Sequence, residues 1–307
     1  MKTAGSQAGM LSRVEERIMN RNRKGVIFGS RIIAVGILCM ILVADFVLSG
    51  MFDRDNSAPV PEPVLAESVR ILFAGTKDDA DCAIVLSQDA CVMIDTGEEQ
   101  DAEHILALLQ QEGVEEIDCL ILTHPDKDHI GGAPALLESL PVQKILTPVY
   151  DQSKESYERL TEQAEALGIM MTALEREEEL QYKELSLHIW PPEETEYDKD
   201  NNYSLAVLIS HGEVQMFFAG DAQKKRMKEI LQYNLPQVDL YKVSYHGRSL
   251  ASGVRLIDLI RPQYAVVTAA EPEKETEQAL RSVGAQIFCT RKHDVVFVSD
   301  GIKIRPE

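Results

Sequence analysis

Four short apolar segments of the sequence each end in a side chain that can bind a metal ion. Asp95 follows CVMI, His124 follows IDCLILT, Asp221 follows MFFAG, and His246 follows VDLYKVSY. Each segment has the length and the apolar content of a buried strand. Because strand ends converge at one edge of the sheet in α/β layouts, we expect these four side chains to share a site.

The segments between these strands have the periodicity of amphipathic helices. Apolar residues recur at helical spacing in residues 102–113 and 153–168, and both segments end in glycine. Strands and helices continue to alternate from residue 69 to the end of the sequence. This alternation predicts an α/β fold, and 307 residues with 45% hydrophobic content are enough to bury a large core.

The first 68 residues have a different character. A basic tail, 1–31, precedes the apolar segment 32–51, and residues 52–68 are rich in Pro, Asp and Ser. Counted from Val26, the apolar stretch is long enough to cross ~30 Å of hydrocarbon. We therefore predict a cytoplasmic tail, a single transmembrane anchor and an extended linker. A cleaved signal peptide is the alternative.

The positive-inside rule also predicts where the rest of the chain lies. Lys and Arg residues precede the apolar segment, so the N-terminus is expected in the cytoplasm and the domain at 69–307 outside the cell membrane. Residues 1–31 carry a net charge of +5 and the whole chain −19, so the remainder carries −24. A body this acidic is not expected to bind nucleic acid stably through its bulk surface. Any anionic substrate must be held locally, by metal ions or by a few cationic side chains.

The sequence THPDKDHIGG, residues 123–132, concentrates candidate metal ligands on a predicted turn. Imidazole and carboxylate groups are the ligands that zinc and similar divalent ions bind. Two such ions can activate a water molecule and hold a phosphoryl or carbonyl oxygen. We therefore expect one or two divalent ions, Zn²⁺ or Mn²⁺, and a hydrolytic reaction. The candidate ligands in this stretch are His124, Asp126, Asp128 and His129.

An alternative is that the aspartates of this stretch cap the following helix and that its histidines lie at the surface. The residues that end the other three strands argue against it. Asp95, Asp221 and His246 belong to distant parts of the sequence, yet each has the same position relative to its strand.

At these residues the sequence resembles the metallo-β-lactamase superfamily, whose signature is HxHxDH. With Asp126 in place of the second histidine, it resembles the ComEC-type branch, named for a competence protein of DNA uptake. The resemblance covers residues 69–307 and implies a four-layer αβ/βα sandwich with its site at the shared edge of two sheets. Four further motifs resemble that branch: MIDTG (93–97), NNYSLAVLI (201–209), FFAGD (217–221) and YKVSYHGRS (241–249).

The resemblance implies two neighbouring metal sites. The first would be formed by His124 and Asp126, and the second by three further residues that share one bridging carboxylate with it. Asp95 would orient a ligand histidine, as residues behind metal ligands commonly do. The residues of the second site are Asp128, His129 and His246, with Asp221 as the bridge.

The sequence departs from the family pattern at three places. Tyr245 replaces the first histidine of the HHG motif, and we predict that it donates a hydrogen bond to the leaving group. GTKDDAD, residues 75–81, replaces an early VGQGD, and only Asp81 keeps the acidic position. Asn202 and Ser204 stand where many members place a histidine, and we expect them beside the ligands.

The function predicted from these features is a membrane-anchored, extracytoplasmic phosphodiesterase or nuclease that uses metal-activated water. Asp128, Asp221 and Tyr245 are its predicted catalytic residues, and Lys127 and Arg248 its candidate contacts with an anionic substrate. Competence or envelope machinery would be its partners. The alternatives are hydrolysis of another ester, a lactone or an envelope phosphoester, or a non-catalytic binding ectodomain that has kept the fold. Asp126 argues against a β-lactamase, because that activity belongs to another branch.

Overall fold

The computed structural model describes residues 68–151, 153–291 and 293–307 of the chain. The predicted basic tail, transmembrane helix and linker lie outside these ranges, apart from residue 68. None of the helices in the described ranges has both the length and the apolar character needed to cross a bilayer.

Strands and helices alternate through the described residues as the sequence predicts. The strands are β1 (Val69–Phe73), β2 (Ala83–Leu86), β3 (Cys91–Ile94), β4 (Cys119–Ile121), β5 (Lys144–Pro148), β6 (Met170–Leu174), β7 (Glu178–Tyr182), β8 (Leu185–Trp190), β9 (Ala206–His211), β10 (Val214–Phe218), β11 (Leu240–Lys242), β12 (Tyr264–Val267), β13 (Gln286–Cys289), β14 (Val295–Ser299) and β15 (Ile304–Pro306). The α-helices are α1 (Ala102–Gln111), α2 (Lys127–Ile130), α3 (Ala133–Ser139), α4 (Glu155–Ala166), α5 (Lys224–Ile230), α6 (Ala251–Ile260) and α7 (Lys274–Ser282).

Within the described ranges the strands form two sheets. One has eight strands in the order β15-β14-β1-β2-β3-β4-β5-β6, and the other has seven in the order β13-β12-β11-β10-β9-β8-β7. Apolar side chains from both sheets pack into one core between them. Helices α1, α3 and α4 cover the outer face of the first sheet, and α5, α6 and α7 cover the second. The predicted two-sheet α/β sandwich is therefore confirmed.

The alternation of side chains along each strand explains how one strand serves two cores. In β1, Val69, Ile71 and Phe73 face the other sheet, whereas Leu72 packs among the helices of the outer layer. Successive side chains of a strand point to opposite faces, so a strand buried on both sides is apolar throughout. This is the physical origin of the continuous apolar runs in the sequence.

Parallel pairing brings the polar strand ends to one edge. Strands β3, β4 and β5 are parallel to one another, as are β10, β11 and β12. The two sheets touch at this edge, where the backbone N–H of Leu205 donates to the carbonyl of Thr123 at 2.9 Å. Gly220 allows the close approach, because a Cβ there would lie 2.8 Å from the hydroxyl oxygens of Thr123 and Ser204.

Two strands were not predicted from the sequence. The segment EELQY of β7 carries two glutamates, and its residues are exposed or half-buried. It is an edge strand that pairs only with β8 among the described strands. Charged residues are tolerated on such edges and protect them from pairing with other chains, which obscures the strand pattern. Strand β6 is also an edge, with Met170 exposed at its start.

We expect alanine substitutions at two glycines to have opposite effects on stability. A Cβ at Gly132 would lie 2.2 Å from the carbonyl oxygen of Thr96, so Gly132→Ala should lower the free energy of unfolding by about 3 kcal/mol. In helix α6, the nearest atom to a Cβ at Gly253 is Leu250 Cβ at 3.7 Å. Gly253→Ala should therefore raise it by about 0.5–1 kcal/mol. Urea unfolding followed by circular dichroism measures both, and equal effects would contradict the packing described for Gly132.

Candidate metal centre

The candidate metal centre lies at the edge where the strand ends of both sheets meet. His124 follows β4, and Asp128 and His129 lie on the short helix α2 that begins after it. Asp221 follows β10, and His246 lies in the 3-10 turn that follows β11. The centre is thus built from segments up to 122 residues apart in sequence, from His124 to His246.

Four of the predicted ligands direct their side chains to one small volume. One ligand atom from each of Asp128, His129, Asp221 and His246 lies within 4.8 Å of the other three. His246 Nε2 is 3.0 Å from Asp221 Oδ2 and 3.4 Å from Asp128 Oδ2, and His129 Nε2 is 3.4 Å from Asp221 Oδ1. Two imidazoles and two carboxylates form a donor set suited to a divalent transition metal.

Buried polar atoms at the cluster support this interpretation. His129 Nε2 and Asp221 Oδ1 are buried and make no hydrogen bond within the described part of the chain. A buried polar atom left without a partner costs about 1–3 kcal/mol, so such atoms are rare in folded proteins. A divalent cation between these two atoms would satisfy both, and the residues therefore fit a metal ion.

Asp95 holds His129 in the orientation that this role requires. Its Oδ2 lies 2.7 Å from His129 Nδ1, and it accepts hydrogen bonds from the backbone N–H and the hydroxyl of Thr123, both at 2.7 Å. When Nδ1 donates to a carboxylate, Nε2 carries the lone pair and can bind a metal. Asp95 has φ +61°, in the left-handed region, so the local backbone is strained to aim its carboxylate at the histidine.

His246 Nδ1 lies 3.1 Å from the hydroxyl oxygen of Thr268, its hydrogen-bond partner, and a buried ion pair lies beside it. Asp81 Oδ1 lies 3.2 Å from His246 Nδ1, and the ammonium group of Lys242 contacts Asp81 and lies 3.7 Å from Asp221 Oδ1. Burial alone would raise the pKa of Asp81, but Lys242 and the two histidines outweigh it and hold the pKa well below its usual range. Lys242 has no site role in the sequence prediction, although a lysine in an apolar strand is a signal of a buried partner.

The residues of the first predicted metal site have a different environment. His124 Nε2 is 3.2 Å from Asp126 Oδ2. The ammonium group of Lys154 contacts Asp126 and lies 2.6 Å from Asp200 Oδ2. In the described ranges, neither His124 nor Asp126 belongs to a group of three or more close metal-binding side chains.

The two residues predicted beside the ligands differ in their contacts. Ser204 Oγ accepts a hydrogen bond from the backbone N–H of Asp221 at 3.0 Å, so it supports the loop that carries this carboxylate. Asn202 does not reach the centre, because its side-chain oxygen accepts from the N–H of Arg226 at 3.2 Å. Its neighbour Asn201 donates to Asp221 Oδ2 at 3.2 Å instead. Successive side chains of the 3-10 turn Asp200–Tyr203 point about 120° apart, which selects one asparagine and turns the other away.

The remaining predicted residues lie around the cluster rather than in it. Lys127 is 78% exposed and pairs with Glu98 at 3.1 Å. The guanidinium of Arg248 lies 4.7 Å from the ring centroid of Tyr245, which is itself half-buried. Their predicted roles toward substrate stay predictions.

Residues 75–270 match the family model described as the Metallo-beta-lactamase superfamily. The chain belongs to this superfamily. Its members are generally metal-dependent hydrolases, and the four-residue cluster of this member fits that chemistry.

Two curated relatives of this superfamily member are ComEC-type competence proteins, as the Asp126 motif predicts. ComE operon protein 3 of Bacillus subtilis is 27% identical over 200 residues, which are 62% of this chain and 26% of that protein. Recombination protein 2 of Haemophilus influenzae is 27% identical over 165 residues, 54% of this chain and 19% of that protein. The chain thus spans about a quarter or less of the length of these relatives.

A solved structure shows the same fold. The metallo-beta-lactamase fold protein YhfI from Bacillus subtilis matches with a TM-score of 0.56 and 11% identity. The match covers 76% of this chain and all of YhfI. At this identity the likeness concerns the fold of the superfamily and not a shared substrate.

The two ligand histidines of this superfamily site lie in a strongly acidic environment. Burial lowers the pKa of His246, but Asp221 and Asp81 outweigh it and raise the pKa to about 12. Burial acts in the same way on His129, and Asp95, Asp81 and Asp221 raise its pKa well above the ordinary value. In the metal-free protein these carboxylates therefore favour the positively charged imidazolium form of both histidines, with a proton on each ring nitrogen.

Metal binding to the metal-free protein at pH 7 should consequently release about two protons per ion, one from each histidine. Because a raised pKa keeps the competing protons bound, the apparent metal affinity should rise with pH. Isothermal titration of the ion in buffers of different ionisation enthalpy gives the proton count. A release near zero would mean that these imidazoles are not ligands.

Proposed function

We propose that this chain is a membrane-anchored, extracytoplasmic metal-dependent hydrolase of phosphodiester bonds, with nucleic acid as the leading substrate class. The observation that carries the hydrolytic part is the cluster of Asp128, His129, Asp221 and His246 with its unpaired buried atoms. The phosphodiester part draws support from the ComEC-type relatives, one of which is named for recombination, a process that acts on DNA.

The residues of the cluster differ in solvent exposure, and we assign their roles in the reaction on that basis. A bound divalent ion supplies a Lewis acid that lowers the pKa of a water molecule and neutralises charge on a phosphoryl oxygen. His129 and Asp221 are buried, whereas the Asp128 side chain is 26% exposed. Asp128 is therefore the carboxylate that solvent and substrate reach first, and it can accept a proton from the attacking water.

Tyr245 and Arg248 lie on the chain segment that also presents His246. In this proposal the Tyr245 hydroxyl donates a hydrogen bond to the leaving oxygen, and the Arg248 guanidinium contacts a phosphate oxygen. Arg248 is exposed, and its stacking on Tyr245 limits how far it can move. A local cation such as Arg248 matters because the acidic body of the chain repels a polyanion.

The metal-loaded protein is expected to hydrolyse a generic phosphodiester such as bis-p-nitrophenyl phosphate. Asp128→Ala should lower kcat/KM by at least about 100-fold, because it removes both a metal ligand and the exposed carboxylate. Asp258→Ala, on the exposed face of helix α6, is the matched control and should retain full activity. A metal-replete wild type that hydrolyses no phosphodiester, ester or lactam would refute the proposal.

The anchoring part rests on residues 1–68 and has its own test. The full chain should sediment with membranes and resist extraction by high salt or carbonate, because an apolar helix is inserted rather than adsorbed. Protease added outside intact cells should cleave the domain at 69–307, whereas a protected domain would place it in the cytoplasm. Release of the chain from membranes by salt alone would contradict the anchor.

A further inference from the structure

We propose that the chain binds one divalent ion, at Asp128, His129, Asp221 and His246, and that the Lys154 ammonium stands in for a second ion beside Asp126. The inference rests on the proposed function only in that this cluster binds a metal. It gives Lys154 a role in the site that neither the sequence motifs nor the family match assigns.

Lys154 directly precedes helix α4, and its side chain extends to Asp126. Its ammonium group contacts Asp126 Oδ1 and lies 2.6 Å from Asp200 Oδ2. Asp200 is held in turn by the hydroxyl of Tyr150, which donates to its Oδ1 at 3.1 Å. The side chains of Lys154 and Asp126 are each 25% exposed, so solvent screens this contact only in part.

The carboxylate of Asp126 is fully engaged by its neighbours. Lys154 contacts Oδ1, and His124 Nε2 lies 3.2 Å from Oδ2. Buried atoms without a hydrogen bond occur at both positions within the described residues: His124 Nε2 at this one, and His129 Nε2 and Asp221 Oδ1 at the four-residue cluster. The difference lies in the number of donors, because four metal-binding side chains converge at the cluster. The four-residue cluster thus offers enough donors for a divalent ion, whereas the position beside Asp126 already contains the Lys154 ammonium group.

The donor count explains why these two positions differ. Catalytic zinc sites have three protein ligands and an open position. His124 and Asp126 supply two, Asp221 would have to be shared with the neighbouring ion, and Asp200 Oδ2 lies 2.6 Å from the same ammonium group. A divalent ion entering here would have to displace the Lys154 ammonium group from Asp126, a candidate ligand. The Lys242 ammonium group near the four-residue cluster instead contacts Asp81, which is not one of the four residues, and lies 3.7 Å from Asp221 Oδ1.

An ammonium group can also supply positive charge and a hydrogen-bond donor where a second metal ion would otherwise bind the substrate. It is a compact charge with three N–H donors, two of which point to Asp126 and Asp200. The third can donate to a phosphoryl oxygen of a substrate held at the neighbouring metal. Lys154 is thus a positioning residue for the substrate, and it requires no second metal.

The test is the number of ions bound per chain. Native mass spectrometry of Zn²⁺- or Mn²⁺-loaded wild type should show one tightly bound ion. Lys154→Met should show two, because it frees His124, Asp126 and Asp200 to form a three-ligand site. The double variant Lys154→Met/Asp200→Asn should return to one. With Mn²⁺, electron paramagnetic resonance should change from a mononuclear to a coupled dinuclear signal in Lys154→Met.

Lys225→Met is the matched control, because Lys225 also lies near two carboxylates, at 3.8 Å from Glu194 and 3.6 Å from Asp198, away from the cluster. It should leave the count at one. Two ions in the wild type, or one ion in Lys154→Met that circular dichroism shows to be folded, would overturn the inference and leave the proposed hydrolase intact. If Lys154→Met does not fold, Lys154→Gln replaces it with the same expected count. No bound ion in the wild type would overturn both.

Discussion

The mutual repulsion of carboxylates at one edge of the sandwich is the constraint on which the site depends. Asp81, Asp95 and Asp221 are buried there, and Asp128 lies beside them. Buried charges are stable only when each has a partner, because desolvation costs several kcal/mol per ion. The hydrogen bond from His129 to Asp95, the contact of Lys242 with Asp81 and the neighbouring His246 supply those partners. A divalent ion would complete the compensation at Asp221.

Local positive charge would also allow this acidic protein to bind the proposed anionic substrate. With −24 outside the basic tail, the surface as a whole repels polyanions. For the proposed anionic substrate, the attraction would come from places where positive charge is held locally, namely a bound metal ion, the Lys154 ammonium group and the exposed Arg248. Carboxylates hold Lys154 and an aromatic ring holds Arg248, so both would be positioned before such a substrate arrives and would lose little entropy when it binds.

The matches with ComEC-type proteins cover 200 and 165 residues of this chain. The chain spans about a quarter or less of the length of those relatives. The two-sheet fold explains why the motif is so compact: one turn after β4 supplies ligands to the centre, and the opposite sheet needs to supply only Asp221 and His246. The backbone of Asp95, Tyr245 and His246 is left-handed, which shows how much local strain the fold accepts to aim these side chains.

The sequence by itself determined most of the strands and the edge at which the polar residues gather, whereas the layered sandwich was implied by the family resemblance. Periodicity encodes these features locally, since an apolar run that ends in Asp or His records both a buried strand and its exit from the core. Edge strand β7 was not predicted, because its sequence EELQY has two glutamates and its residues are exposed or half-buried. Only the tertiary structure decided which asparagine contacts Asp221, that Lys242 pairs with Asp81, and that Lys154 lies on Asp126. Those partners are 20 to 161 residues apart in the chain. Their meeting depends on how loops pack across two sheets, and no local pattern records that geometry.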